Sequence, residues 1–152
     1  MRIYFDTEFS SLWDPQPISV GFVTAEGEGL YIELIHDTER NSDFVNKTVI
    51  PLLESEHKTH PEAAARSIRS FLNRHKTVGH DGNNLPTLIC DFIGDFWILK
   101  GLIPDIEDYV IPRCARHSHT APVFLANPKL RQHHALDDAW ALCILNPTLQ
   151  VE

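Results

Sequence analysis

A chain of 152 residues is long enough for one domain with a sizeable core, and its 43% apolar content argues against a disordered polymer. The formal net charge of −8 argues against a general nucleic-acid coat, which would be basic. It leaves room for an enzyme with an acidic pocket, because a divalent metal reverses the local sign.

Residues 3–9, I-Y-F-D-T-E-F, are rich in β-branched and aromatic side chains and read as a strand. Alternation points Ile3, Phe5, Thr7 and Phe9 one way and Arg2, Tyr4, Asp6 and Glu8 the other. Two carboxylates then share a face, about 6–7 Å apart at the backbone. They repel and resist burial, and a hard cation with oxygen ligands removes both costs. The plainer reading is an edge strand whose acids face water, and this motif alone does not separate the two.

The loop S-S-L-W-D-P-Q-P is broken by Pro15 and Pro17. Residues 18–25 and 30–35 are strand-like runs around E-G-E-G, a hairpin with Gly27 and Gly29 available for positive φ. Three successive strands predict an antiparallel meander. Residues 41–53 form an amphipathic segment with a turn near Pro51, its apolar side supplied by Phe44, Val45, Val49, Leu52 and Leu53. Pro61 opens a helix over 61–75, with Ala64, Ala65, Ile68, Phe71 and Leu72 inward and Arg66, Arg69 and Arg74 solvated. G-H-D-G-N-N, residues 79–84, is a surface turn too irregular for a phosphate loop.

Residues 87–93 read as a buried strand that runs through Gly94 into D-F-W-I-L-K-G, a helix ended by Gly101. A crossover into a mixed sheet follows. Asp105, Glu107 and Asp108 are exposed loop acids, 109–114 is one more short strand, and 115–127 is a mobile loop rich in His and Pro. The last element, 133–145, is a helix stopped by Pro147 and apolar nearly all round, hence buried. Asp138 falls between Leu142 and Leu145, and Asp137 beside Ala141 and Ile144. At least one of these acids needs a partner, and a metal would serve. No repeat or linker divides the chain, so a single domain over 1–152 is expected. No apolar run spans a bilayer and the N-terminus lacks a secretory pattern, which predicts no membrane partner and a cytoplasmic location. Cys90, Cys114 and Cys143 form no CxxC pair and read as free buried thiols.

D-T-E-F near the N-terminus, an aspartate after a mid-chain apolar strand, and H-x-A-L-x-D-A near the C-terminus resemble the three motifs of the DEDDh 3′–5′ exonucleases. The small size and the D-T-E-F variant are most similar to the short bacterial and phage-type exoribonucleases. The third motif is the most specific, since His133 and Asp138 keep the five-residue separation with Ala135, Leu136 and Ala139 in place. The resemblance implies an α/β ribonuclease H-like fold with helices on the faces of a mixed sheet. It implies that Asp6, Glu8, Asp95 and Asp138 hold two Mg²⁺ or Mn²⁺ ions, with His133 as general base. The product would be a nucleoside 5′-monophosphate released from a single-stranded 3′ end, with RNA favoured over DNA. Glu8, Phe9 and Ser10 would contact the terminal nucleotide. Many members of the family are dimers, so a homodimer is implied too.

The chain departs from the family pattern in two places. Phe9-Ser10-Ser11 replaces Thr-Thr-Gly after Glu8, and the second motif lacks the Asn-x-x-Phe-Asp form. Asp91 and Asp95 both compete for the second-motif ligand, and Asp95 is preferred as the acid that ends the strand and precedes the helix. His134 is a rival base to His133. Of the other histidines, His57, His60, His75, His80, His117 and His119 read as exposed or capping, and Cys114 with His117 and His119 makes a poor zinc site. Trp13, Trp97 and Trp140 read as core, with Trp13 the best exception as a base-stacking platform. Arg113, Arg116 and Arg131 read as solvated, with phosphate contact the alternative.

Overall fold

The computed structural model describes residues 1–77, 84–115 and 119–146. The turn cluster around His80, the residues Arg116 and His117, and Pro147 lie outside them. The expected meander is present: β1 (Arg2–Phe9), β2 (Pro17–Thr24) and β3 (Gly29–Glu33) pair antiparallel in sequence. Gly27 at the hairpin has φ 94°, whereas Gly29 is already in the strand. After α1 (Asp43–Thr48) and α2 (Pro61–Arg74), β4 (Thr87–Cys90) runs parallel to β1, and β5 (Ile111–Cys114) runs parallel to β4. The result is an α/β fold with a five-stranded mixed sheet in the order β3-β2-β1-β4-β5.

Strand alternation divides the sheet's two faces as its pattern dictates. Ile3, Phe5, Val20, Phe22 and Leu88 pack with Ile68, Phe71 and Leu72 of α2 and with Phe96 and Leu99 of α3 (Ile93–Leu102). On the opposite face Tyr4 and Ile89 meet Leu142 of α5 (Ala135–Leu145). Asp6 and Glu8 share the α5 face with Tyr4.

Several details differ from expectation. The fourth strand ends at Cys90, and α3 begins at Ile93 and continues through Gly101 to Leu102, because an exposed helical glycine needs no left-handed turn. The 115–127 region is not wholly a loop: Ala121–Ala126 forms α4, a short helix with Val123 buried. In the 41–53 segment Val45 and Val49 pack inward, but Phe44 is 55% exposed. The last turn of α5 is open to solvent at Ile144 and Leu145, so that helix is buried only along most of its length. Asp105 is not a free loop acid but pairs with Arg69 of α2, and Arg74 pairs with Glu28. Cys90 is buried and Cys114 and Cys143 are half-buried, all three as thiols. No helix among the described residues is long and apolar enough to cross a membrane.

Candidate active site

Parallel pairing of β1 with β4 stops at Tyr4 and Ile89, and β4 then turns away at Asp91–Phe92 into α3. A notch is left at the carboxyl ends of two parallel strands, the place where open α/β sheets bind ligands. Asp6 sits in it. One ligand oxygen each from Asp6, Asp91 and Asp95 lie within 4.8 Å of one another, and so do oxygens from Asp6, Glu8 and Asp138. Asp6 is thus common to two groups of three carboxylates. The structure brings the four acids singled out in the sequence to one place and adds Asp91 as a fifth.

The two candidates of the second motif occupy different local positions. Asp91, half-buried, stands at the end of the strand where Asp95 was expected. Asp95 lies one step later, in the first turn of α3, and is 2% exposed. It is held there by Thr7, whose hydroxyl donates to Asp95 Oδ1 at 2.7 Å. Thr7 carried no role in the sequence reading. Its position between two acids of the first motif was the available signal.

Asp138 reaches the cluster because α5 presses unusually close to the sheet. Gly21 on β2 pairs with Asp6 on β1. A Cβ added to Gly21 would stand 2.3 Å from the Leu136 amide nitrogen and 2.4 Å from the Ala135 carbonyl. Only glycine lets the first turn of α5 lie over β2, and that turn carries Asp138. The sequence signal for this residue was a lone glycine inside an apolar strand, which marks close backbone approach.

Electrostatics show what this proximity costs. Burial, then Asp95, Asp138, Glu8 and Asp91 in turn, push the Asp6 carboxyl well above its ordinary value. Burial followed by Asp138 and Asp95 raises Glu8 to about 8. Asp95 is raised to about 7 by burial, against the pull of Thr7. Asp138 is raised to about 7 by burial, against the backbone N–H groups of His133 and His134. Burial also raises Asp91. Fixed oxygens that repel one another and hold protons are the donor set a hard divalent cation relieves.

His133 immediately precedes the residue that caps α5. Its backbone is left-handed, φ 66°, and its ring meets Phe44 edge-on at 5.1 Å between centroids. Burial lowers its pKa, which favours the neutral, proton-accepting form at neutral pH. His134 points elsewhere: it is 2% exposed, lies 4.5 Å from the Tyr31 ring and is surrounded by Arg131, Asp137 and Glu54. The rival base is therefore a structural residue. Arg131 is likewise no solvated cation, since it binds Asp137 and Glu54. Asp137 has its partner in Arg131, which leaves Asp138 as the acid of that helix turned to the cluster.

Two apolar cavities lie beside the loop that follows β1, and Glu8 borders one of them. One, of about 400 Å³, is lined by Glu8, Phe9, Leu12, Trp13 and Phe44 among others. The other, of about 480 Å³, lies between the 10–17 loop and α3, with Phe9, Leu12, Phe92 and Trp97 in its walls. Trp13 is 97% exposed and Trp97 61% exposed, so neither belongs to the core, while Trp140 is half-buried beside Gly27. Phe9 lines both cavities. Ser10, expected to touch substrate, is fully buried: its hydroxyl donates to the Asp14 carbonyl and accepts from the Gln16 amide. It anchors the loop that displays Leu12 and Trp13. His119 is exposed, and the zinc grouping with His117 falls partly outside the described residues. No protein-family model matches this chain, and no curated protein matches it in sequence.

Proposed function

We propose that this protein is a divalent-metal-dependent 3′–5′ exonuclease of ribonuclease H-like fold, acting on single-stranded RNA. The observation that carries the reading is the place of Asp6 as the shared corner of two carboxylate triplets, with every strong field on it negative. A fold gains nothing from five acids so arranged unless cations join them. The two triplets fit Mg²⁺ or Mn²⁺, which take oxygen ligands, with Asp6 serving both. When bound, such a pair of ions supplies water activation and charge neutralisation at a phosphodiester. The strand order, with three antiparallel strands followed by two parallel ones, supports the fold assignment.

The chain's own residues do the rest. On this reading His133, neutral and five residues before Asp138, takes the proton of the attacking water. Glu8 and Phe9 border the cavity for the terminal nucleotide. Trp13 and Phe44 offer that base an aromatic wall, and stacking of this kind tolerates any sequence. An acidic protein holds a nucleic-acid end this way without a basic surface, because the ions and the stacked bases carry the binding. A binding module of the same shape would have no use for negative charge where phosphates dock.

The test uses 5′-labelled single-stranded RNA and DNA with Mg²⁺, Mn²⁺ or EDTA. The expected result is stepwise shortening from the 3′ end with nucleoside 5′-monophosphate released, faster on RNA, and none in EDTA. Binding without shortening, or cleavage at internal positions, overturns the reading; faster shortening of DNA transfers it to a DNA exonuclease.

A further inference from the structure

The residues on either side of His133 are fixed by a polar network separate from the acidic cluster. Arg131 Nε donates to Asp137 Oδ2 at 2.7 Å, and Nη1 to Glu54 Oε1 at 2.5 Å. The Arg131 backbone N–H donates to the same Asp137 oxygen at 3.0 Å. The guanidinium Nη2 lies 3.2 Å from His134 Nε2. Arginine only donates, so His134 Nε2 accepts and its ring proton sits on Nδ1, which faces Asp137 Oδ2 at 3.5 Å. His134 is further wedged against Tyr31, and Tyr31 donates to Glu33, which pairs with Lys58. One guanidinium thus ties the approach to α5, the first turn of α5 and the turn at Glu54.

Only two residues separate Arg131 from His134, and His133 is one of them. It alone among the described non-glycine residues has positive φ, a conformation uncommon for an L-residue, though histidine adopts it more readily than most. The neighbours are held, on one side by Arg131 and on the other by the buried His134. We infer that Arg131 is a positioning residue: by locking Asp137, Glu54 and His134 together it imposes the left-handed backbone at His133 and so fixes the direction of that imidazole, against Phe44. The catalytic consequence rests on the exonuclease reading above; the conformational one does not. Arginine suits the task because its planar fork serves three partners at once, which a lysine ammonium does not reproduce.

Arg131→Ala, Arg131→Lys and His133→Ala, alone and combined, test this. Arg131→Ala is expected to lower kcat about 10- to 100-fold, as a misplaced catalytic group does, with KM and Mn²⁺ affinity within about twofold of the parent. Arg131→Lys should recover part of that loss. In the His133→Ala background Arg131→Ala should cost nothing further, because there is no ring left to position. An equal fractional loss in both backgrounds overturns the inference and makes Arg131 a general stabiliser. The conformational half is read without activity, from the ring carbon–proton signal of His133, identified by its disappearance in His133→Ala. That signal should shift or broaden in Arg131→Ala, and an unchanged signal refutes the inference. If the parent cleaves no nucleic acid, the exonuclease reading falls and the ring signal still decides the positioning. Should Arg131→Ala fail to fold, Glu54→Gln removes one tether and is held to the same two criteria.

Discussion

Two sets of buried or half-buried carboxylates share this molecule, and they live under opposite conditions. Glu33 on β3 is 3% exposed, and burial pushes its pKa up. Lys58, the amides of Glu54 and Ser55 and the Tyr31 hydroxyl outweigh that push and leave it below its ordinary value. Asp137 is bound in the same manner by Arg131. At the end of β1, by contrast, Asp6, Glu8, Asp91, Asp95 and Asp138 have chiefly one another, and all are raised. Elsewhere the chain places cations beside acids that serve the fold, as at Glu33, Asp105 and Asp137. Acids that have chiefly one another at the mouth of a sheet are the arrangement on which the metal-dependent reading proposed above rests.

The contrast breaks most visibly at its two centres. Asp6→Asn takes the common corner from both triplets. If the proposed exonuclease reading holds, it should lower hydrolysis of 5′-labelled RNA by at least about 1,000-fold, since ions at such a site supply several kcal/mol of transition-state charge stabilisation. The same change should raise the melting temperature in EDTA, because it relieves repulsion. A drop in both activity and metal-free stability would mean that Asp6 serves the fold. Gly21→Ala comes next. Its methyl group meets α5 backbone and not a flexible side chain, so the helix must lift, at a cost of about 1–3 kcal/mol in denaturant unfolding. Activity per folded molecule should fall with it, as Asp138 is carried away from Asp6. Glu33→Gln is the control on the other set. It leaves Lys58 and two amides poorly paired and should cost about 1–3 kcal/mol, yet it should lower RNA hydrolysis by the folded protein far less than Asp6→Asn does.

Much of this division was legible before any coordinates. Strand alternation in I-Y-F-D-T-E-F put Asp6 and Glu8 on one face, and the helical wheel showed that at least one of Asp137 and Asp138 needed a partner. What alternation and periodicity do not carry is which partner each acid finds. Arg131 lies six residues before Asp137, and Glu54 reaches the same guanidinium from a turn far earlier in the chain. Nothing local announces that meeting, so Arg131 and His134 read as a solvated arginine and a rival base. The α3 boundary failed for a different reason. Gly94 and Gly101 resemble helix punctuation, yet both sit inside a helix whose inward residues Phe96 and Leu99 are buried, and packing overrode propensity. Trp97 misled through composition: a large apolar residue beside core positions falls on the outer side of α3 and walls a cavity.

The smallest expected effect follows from the protons that the unpaired acids hold. Free carboxyls of this kind titrate near pH 4, but in the folded protein Asp95 and Asp138 do so at about 7 and Glu8 at about 8. Between those limits the native state binds more protons than the unfolded chain, so this contribution to stability is fully present below pH about 4 and is lost as the pH rises through 7 to 8. His133 and His134, whose pKa values burial lowers, act in the opposite sense, but their contribution is complete above the ordinary histidine value of about 6.5. Melting in EDTA from pH 6.5 to 8.5 reads chiefly the acids; the thiols of Cys90 and Cys143, whose pKa values burial raises, add in the same sense only near the upper end. The temperature should fall across that range by an amount on the order of 5 °C, and Mn²⁺ should restore more of it at the high end, because the ion binds the deprotonated form. Asp6→Asn should flatten the slope, whereas Glu33→Gln should leave it intact, since Glu33 is already ionised throughout the window. A flat profile in the parent, with no response to Mn²⁺, would show that the acids at the end of β1 are relieved by water alone.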